Sequence, residues 1–270
     1  MYESVGVIGT GAMGSAVARL IASAQPEKPL YLSNRTGEKA ERLAAAYPNA
    51  RVSTNEAIAQ GCDLIFLAVK PQMMPEVLSA LSQTLAARTD RFVLVTMAAG
   101  LTTDTIQTLA GGTYPVIRMM PNTPITVGAG IITYCGSGAT AEELSAFAAL
   151  LKEAGTLDPI PEHLIDAASA LAGCGPAFVD LFLEALADGA VACGLPRQKA
   201  LLYAAQTVEG AARAARLSGE HPGALKDVVC SPAGSTIQGV RALERGGFRS
   251  AAIEAVIAAY EKNLALKEGE

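Results

Sequence analysis

The chain has 270 residues, half of them hydrophobic, which is enough to bury a large core in one or two domains. Its 21 basic and 26 acidic residues give a net charge of −5, and there is no block of like charge, so we predict neither a nucleic-acid partner nor a membrane-surface partner. The five cysteines are scattered and never form a CxxC pair, which argues against a disulfide framework or a metal site.

The apolar segments bear on the location of the protein. The first strand pattern begins within a few residues of Met1, which leaves no room for a signal peptide. The most apolar late stretch, residues 177–194, carries Asp180, Glu184 and Asp188, and three acids on one helix stripe do not suit a membrane span. We therefore expect a cytoplasmic protein with free thiols, and we interpret the three acids as a solvated helix face.

A short apolar run that breaks into glycines begins the chain. Residues 5–8 are typical of a buried strand, and residues 15–22 of the helix that follows it. The GxGxxG spacing between them predicts a dinucleotide-binding loop, because glycines allow a tight turn, a close approach of pyrophosphate, and close packing of helix on strand. The predicted contacts in this glycine loop are Gly9, Thr10, Gly11, Ala12, Met13 and Gly14.

Strand and helix patterns alternate as far as residue 160. Strands are predicted at residues 30–34, 51–53, 63–69, 91–97, 114–119, 130–135 and 156–160. Helices are predicted at residues 37–47, 54–60, 75–87 and 141–154. Strands that are apolar on both faces and alternate with helices predict a parallel sheet covered on both sides, a doubly wound Rossmann-like α/β fold.

The pattern changes after Pro161, where strands stop and Ala/Leu-rich helices take over. Helices are predicted at residues 163–171, 176–193, 196–218, 222–229, 236–245 and 248–267. Several are apolar on more than one face, so we expect a second subunit to pack against them. The predicted domains are therefore 1–161, which binds the dinucleotide, and 162–270, an all-helical domain for dimerisation and substrate.

The residues after the second strand indicate which dinucleotide is bound. An NAD-preferring fold usually has a carboxylate there for the ribose 2′-hydroxyl, but this chain has Ser33-Asn34-Arg35-Thr36. A guanidinium with neighbouring hydrogen-bond donors suits a 2′-phosphate. We therefore predict NADPH as the cofactor, with NADH as the alternative.

Three further segments have polar or small residues at predicted element ends. Residues 68–71 follow a sheet strand at the edge where open α/β sheets bind ligands. Residues 118–124 are predicted to form a stiff turn near another strand end, and a structural role for this turn is at least as well supported as a role in ligand binding. Residues 231–236 lead into a helix, and their free N–H groups and hydroxyls suit a carboxylate.

Six segments, in the expected order over nearly the whole chain, carry a resemblance to a known family. They are residues 9–14, 33–36, 68–71, 118–124, 173–177 and 231–237, with Leu243-Glu244 after the last. Together they resemble pyrroline-5-carboxylate reductase, and the 231–237 segment is the most specific of them. The resemblance implies NAD(P)H-dependent reduction of 1-pyrroline-5-carboxylate to L-proline, the last step of proline biosynthesis. It also implies a homodimer with interlocked C-terminal helices, often assembled further into a decamer.

The resemblance also implies roles for individual residues. Contacts to the 2′-phosphate fall to Ser33, Asn34, Arg35 and Asn55, and the nicotinamide-side loop to Ala68, Val69, Lys70 and Pro71. Ser231 and the backbone N–H groups of Gly234, Ser235 and Thr236 would bind the substrate carboxylate. Thr236 is also our candidate catalytic residue, donating a hydrogen bond to the ring nitrogen. Ala233, Ser235 and Cys174 depart from the residues usual in the family, which could tune affinity.

Two other readings remain open at this point. A β-hydroxyacid dehydrogenase has a similar N-terminal motif, but no lysine follows residues 173–180 before Lys199. A non-catalytic NADP sensor would keep the nucleotide half and could lose the 231–236 loop. His163 and His221 lie outside every motif, so a histidine general acid is not expected.

Overall fold

The computed structural model describes residues 2–267. The chain divides into two compact units: the first reaches to Gly173 and resumes at Tyr260, and the second comprises Cys174–Ala259.

The first unit is an eight-stranded sheet with helices between the strands. Its strands are β1 (Val5–Ile8), β2 (Leu30–Ser33), β3 (Ala50–Val52), β4 (Leu64–Leu67), β5 (Val93–Thr96), β6 (Val116–Pro121), β7 (Gly130–Ser137) and β8 (Gly155–Pro159). Its helices are α1 (Ala12–Ala24), α2 (Gly37–Ala45), α3 (Asn55–Gly61), α4 (Met74–Ala86), α5 (Thr103–Ala110), α6 (Ala141–Leu150) and α7 (Ile165–Ala172). Short 3-10 turns lie at Pro71–Met73, Thr123–Val127, Lys152–Ala154 and Glu162–Leu164.

The strand order is β3-β2-β1-β4-β5-β6-β7-β8, and β1 to β6 are parallel. Both faces of the sheet are buried, as expected from strands without polar alternation. Val7 lies opposite Leu32 and Phe66 in one core cluster, whereas the next residue, Ile8, belongs to the cluster on the other face with Leu67. The predicted doubly wound sheet is confirmed.

The sheet departs from the predicted parallel arrangement at β7, which pairs antiparallel with β6. Only residues 122–129 connect the two strands, and a parallel pairing needs a crossover of roughly a dozen residues or more. The chain therefore turns back on itself, and β8 then pairs parallel with β7.

Helix α5 was absent from the sequence prediction. Its eight residues include several threonines, which are weak helix formers and obscure the apolar periodicity. The structure supplies the missing signals at its two ends. The Thr102 side chain accepts a hydrogen bond from Thr105 N, and Gly111 ends the helix in the left-handed region at φ 77°.

The second unit is helical. It contains α8 (Gly175–Ala192), α9 (Arg197–Ser218), α10 (Pro222–Val228), α11 (Ser235–Arg245) and the part of α12 (Phe248–Lys267) that precedes Tyr260. Its own buried core is small and centres on Ala187, Ala200 and Ala204. Many large apolar side chains are exposed in the single chain: Leu181, Leu201, Leu202, Leu217, Val228, Val229, Ile253 and Ile257. Exposed apolar surface of this extent is typical of a protein–protein interface.

One helical segment within residues 2–267, Glu162–Ala192, is long and apolar enough by length and composition to cross a membrane. The 18-residue stretch of this segment that meets the criterion has a mean hydropathy of 1.5, and 11% of that stretch is buried inside the chain. The three acids in residues 177–194 therefore do not exclude a membrane span for the whole segment, because stretches of Glu162–Ala192 that begin before residue 177 contain fewer charged residues. Helices of soluble proteins meet the same criterion, so composition alone does not decide what covers this segment.

Candidate functional site

The predicted cofactor residues follow four neighbouring strands of the first unit. Parallel strands β1 to β4 all end at one edge of the sheet, and β1 lies between β2 and β4, where the chain order reverses direction. Such a switch point opens a crevice for a ligand. The structure thus brings the glycine loop, residues 33–35, Asn55 and residues 68–71 to one edge of the sheet.

The glycine loop packs too closely for side chains at two of its glycines. Gly9 has φ +103°, and a Cβ there would lie 2.7 Å from the Ala68 carbonyl oxygen. A Cβ on Gly14 would overlap the Gly9 carbonyl oxygen and lie 2.9 Å from Ala68 Cβ. At Gly11 a Cβ would meet nothing within 4 Å, so this glycine faces open space. Two glycines therefore permit packing, and the third leaves room for a ligand.

The start of α1 has the properties of an anion site. Gly11 is its N-cap residue, and no described side chain caps the first turn. No acidic side chain lies in that turn either. The first N–H groups of the 13-residue helix thus lack intrahelical partners and carry the positive end of the helix dipole, which favours a phosphate.

Some polar side chains at the end of β2 are hydrogen-bonded within the described part of the protein, and one is not. Ser33 is buried, and its Oγ donates to Asn55 Oδ1 at 2.6 Å. Asn34 Oδ1 accepts from Thr10 N at 2.9 Å, and Asn34 Nδ2 donates to the Thr36 carbonyl oxygen at 3.0 Å. Arg35 is exposed and makes no hydrogen bond or ion pair with any described residue. Of these residues, Arg35 is the one whose charge remains available to a ligand.

The end of β4 continues the edge beside the glycine loop. Ala68 N donates to the Ile8 carbonyl oxygen at 2.8 Å, which extends the β1–β4 pairing by one residue. Lys70 is exposed in extended conformation, and Pro71 begins a 3-10 turn that directs the chain into α4. The predicted nicotinamide-side loop therefore lies directly next to Gly9.

Sequence reasoning missed the segment 97–100, which follows β5 at the same edge. Ala98 N donates to Thr96 Oγ1 at 3.3 Å, and Gly100 has φ +78°. The signal was available, since every parallel strand of such a sheet delivers its following loop to the same edge.

The 118–124 segment has structural contacts. Arg118 is fully buried and donates to Asp166 Oδ1 at 2.7 Å from Nη2. Asn122 Nδ2 donates to the Ala172 carbonyl oxygen at 3.0 Å, and its Oδ1 accepts from Ile131 N at 2.9 Å. These contacts join β6 to α7 and β7, which agrees with a structural role for the segment. The predicted turn is wrong for residues 118–121, which continue strand β6, and the chain turns only after Pro121.

The remaining predicted site residues lie in the second unit, in the 231–236 loop. Ala233 adopts φ +58°, the one positive φ at a non-glycine residue within the described chain. Gly234 N donates to the Ser231 carbonyl oxygen at 3.0 Å, and a Cβ on Gly234 would overlap Ser231 Oγ. Gly234 is also the N-cap residue of α11, whose first residues Ser235 and Thr236 are exposed and have no side-chain cap. This loop offers N–H groups and hydroxyls to an anion.

The histidines and the buried cysteines outside the predicted site show no sign of a catalytic role. His221 Nδ1 accepts from Gly223 N at 3.1 Å and caps α10. His163 is exposed, and in the sequence it lies outside both the glycine loop and the 231–236 loop. Burial raises the pKa of the Cys62 thiol to about 12 and that of Cys135 to about 11, so both are protonated at neutral pH. No group of residues able to hold a metal ion is found in the part of the chain that the structure describes.

Family models match both parts of the chain. The model described as pyrroline-5-carboxylate reductase dimerisation matches residues 162–266, and the one described as NADP oxidoreductase, coenzyme F420-dependent, matches residues 4–100. The chain is 38% identical to pyrroline-5-carboxylate reductase from Escherichia coli over 99% of this chain and 100% of that protein. It is 42% identical to pyrroline-5-carboxylate reductase from Methanosarcina acetivorans over 98% of each chain.

Solved structures give the same result. The structure of a Plasmodium falciparum pyrroline carboxylate reductase with NADP bound superposes with a TM-score of 0.86 at 32% identity, over 98% of both chains. A Coxiella burnetii pyrroline-5-carboxylate reductase gives a TM-score of 0.87 at 28% identity, over 97% of both chains. Because this similarity spans the two parts of the chain together, the chain belongs to the pyrroline-5-carboxylate reductase family.

Proposed function

We propose that this protein reduces 1-pyrroline-5-carboxylate to L-proline with NADPH, the last step of proline biosynthesis. The observation that carries the proposal is the 38% identity, over the whole length of both chains, to an enzyme of that name. The uncapped helix start behind Gly9 and Gly14, with Arg35 free beside it, supports the dinucleotide half of the proposal.

The residues at the sheet edge fit the dinucleotide. A glycine with φ +103° and a helix N-terminus without a side-chain cap form a cradle that a Cβ at Gly9 or Gly14 would close. We assign the pyrophosphate to the first N–H groups of α1 and the 2′-phosphate to the neighbourhood of Ser33, Arg35 and Asn55. When bound, NADPH supplies the hydride that the imine carbon accepts.

The 231–236 loop is our candidate for substrate recognition. The substrate carboxylate needs an anion site, and the start of α11 offers the N–H groups of Ser235 and Thr236 beside the Ser231 hydroxyl. The Gly234 N–H, which the resemblance also assigns to the carboxylate, instead donates to the Ser231 carbonyl oxygen. We propose that Thr236 Oγ1 donates a hydrogen bond to the ring nitrogen. We take the basic imine to bind in its protonated form; hydride transfer to its carbon then leaves a lone pair on the ring nitrogen, and a hydroxyl that donates to this lone pair stabilises the amine that forms.

The second unit supports a proposal about assembly. The exposed apolar side chains of α8, α9 and α12 would be covered in a homodimer, and we propose that dimers assemble further into a decamer. A second subunit would also cover the apolar segment Glu162–Ala192, in place of a membrane. We propose a cytoplasmic enzyme with no nucleic-acid partner, with a functional boundary between residues 161 and 162. The five free cysteines support a reducing compartment.

The direct test is oxidation of NADPH followed by absorbance in the presence of 1-pyrroline-5-carboxylate. Turnover with formation of proline is expected. NADPH binding without turnover would instead favour an NADP sensor or an imine reductase for another substrate.

The role of Thr236 is tested by Thr236→Ala. We expect kcat to fall about 10- to 100-fold, because a donor to the developing amine is lost, while the Kd for NADPH is unchanged. Thr207→Ala is the matched control, since the Thr207 hydroxyl donates within α9 to the Tyr203 carbonyl oxygen. An unchanged rate in Thr236→Ala would remove this residue from the mechanism.

The role of Arg35 is tested by Arg35→Ser with both cofactors. We expect the KM for NADPH to rise about tenfold and the KM for NADH to stay within twofold, because only NADPH carries the 2′-phosphate. Arg42→Ser is the control, since it removes another exposed arginine from the same unit. An NADPH preference that survives Arg35→Ser would contradict the assignment.

A further inference from the structure

The Asn34 side chain bridges two loops of the cofactor edge. Its Oδ1 accepts from Thr10 N at 2.9 Å, and its Nδ2 donates to the Thr36 carbonyl oxygen at 3.0 Å. The orientation of the amide follows from its partners, because a backbone N–H can only donate and a carbonyl oxygen can only accept. Both ends of the Asn34 amide therefore have backbone partners within the protein.

The Thr10 end of this bridge holds the glycine loop. Thr10 is 3% exposed, so its N–H needs a protein partner, and the Asn34 amide provides one. One residue earlier, Gly9 N donates to the Ser33 carbonyl oxygen at 2.8 Å. The glycine loop is thus joined to the end of β2 by two consecutive hydrogen bonds, one of them from a side chain.

We infer that Asn34 is a positioning residue for the glycine loop and not a contact of the 2′-phosphate; the inference rests on the proposed function. The glycine loop faces the pyrophosphate, which NADPH and NADH share, whereas the 2′-phosphate belongs to NADPH alone. Asn34 therefore sets the affinity for both dinucleotides, and its neighbour Arg35, whose charge is free, sets the choice between them.

The test is the Kd of NADPH and of NADH for Asn34→Ala, measured by calorimetry on the whole protein without the imine substrate. We expect both Kd values to rise by a similar factor of about ten, the effect of one hydrogen bond in the site. A rise for NADPH alone would show a phosphate contact and overturn the inference. Asn34→Ser, which also removes the bridge, is measured beside it so that the result does not depend on one variant folding.

Asn34→Asp is the conservative variant. It keeps an acceptor for Thr10 N–H but no donor for the Thr36 carbonyl oxygen, so we expect NADH to bind more tightly than in Asn34→Ala and within about threefold of the parent. NADPH should stay about tenfold weaker, because the new carboxylate repels the 2′-phosphate. NADH binding as weak in Asn34→Asp as in Asn34→Ala would contradict the positioning role.

Asn49→Ala is the matched control for general destabilisation. Asn49 Nδ2 donates to the carbonyl oxygens of Ala22, Gln25 and Lys28, and so ties loops together at the opposite end of β2. We expect this variant to unfold at lower temperature but to keep both Kd values. If it weakened both cofactors as Asn34→Ala does, the effect would be one of stability, and the inference would fail. A parent protein that binds neither dinucleotide would overturn the proposed function as well.

Discussion

The buried ion pair between Arg118 and Asp166 gives a stability prediction that can be worked from the structure. The Arg118 side chain is 0% exposed and that of Asp166 is 3% exposed, and Nη2 lies 2.7 Å from Oδ1. Glu162 lies farther away, with Oε1 at 3.5 Å from Arg118 Nη1 and 31% of its side chain exposed. The pair joins the sheet to α7, and Asn263 Nδ2 donates to the Asp166 carbonyl oxygen at 3.1 Å.

Asp166→Asn keeps the shape and one acceptor but removes the charge that balances Arg118. Removing one partner of a buried pair costs about 3–5 kcal/mol. The remaining hydrogen bond and the Glu162 carboxylate offset part of this cost, so we expect a loss of about 2–3 kcal/mol in the free energy of unfolding. The matched control is Asp188→Asn, because Asp188 pairs with Arg197 where both side chains are about half exposed. We expect that control to change stability by less than about 0.5 kcal/mol.

The assay is urea unfolding followed by far-UV circular dichroism, since the chain contains no tryptophan. Protomer concentration is held constant because oligomers are stabilised by mass action. A cycle of Arg118→Met, Asp166→Leu and the double variant Arg118→Met/Asp166→Leu completes the measurement: the double variant should lose at least about 2 kcal/mol less than the sum of these two single variants. A change below about 0.5 kcal/mol in Asp166→Asn, or additive losses in the double variant, would refute the reasoning.

Three further predictions follow from local geometry. Gly14→Ala should lower stability by about 2 kcal/mol and abolish NADPH binding in calorimetry, because its Cβ would overlap the Gly9 carbonyl oxygen; a variant that binds as the parent does would contradict the packing argument. Ala233→Gly should change the free energy of unfolding by less than about 0.6 kcal/mol in urea titrations, because relief of left-handed strain at φ +58° is offset by the greater freedom of the unfolded glycine; a loss above about 1 kcal/mol would refute the cancellation. Hydrogen bonds from Arg91 hold the pKa of Glu143 below its usual range. The contribution of Glu143 to the free energy of unfolding is therefore complete above its pKa in the unfolded chain, and it is lost as the pH falls through its pKa in the folded protein. Glu143→Gln should therefore be about 0.5 kcal/mol less stable than the parent at neutral pH, and in unfolding experiments this difference should shrink as the pH falls below about 4; a difference independent of pH would rule out the linkage.

The sequence alone determined those features that depend on neighbouring residues. The buried strands at β1, β2, β4 and β5 are continuous apolar runs, and Thr54, the first residue of the helix predicted at 54–60, caps α3 by accepting from Ala57 N. The glycine loop is local too, because its spacing reflects the steric needs of one turn and one helix start. The change from alternating strands to uninterrupted helices after Pro161 is likewise visible in composition.

Tertiary structure alone decided the features that depend on residues distant in the chain. The antiparallel pairing of β7 and helix α5 are not among these features, because a short link and two flanking caps are local signals that the pattern analysis overlooked. The sequence does not show whether Arg118 binds a ligand or stabilises the fold. The structure pairs it with Asp166, 48 residues later, which gives it a structural role. Asn34 is predicted as a phosphate contact from its place after β2, and only the fold shows that both ends of its side-chain amide have backbone partners. Hydrogen-bond partners are set by packing in three dimensions, whereas strand, helix and glycine patterns are set along the chain.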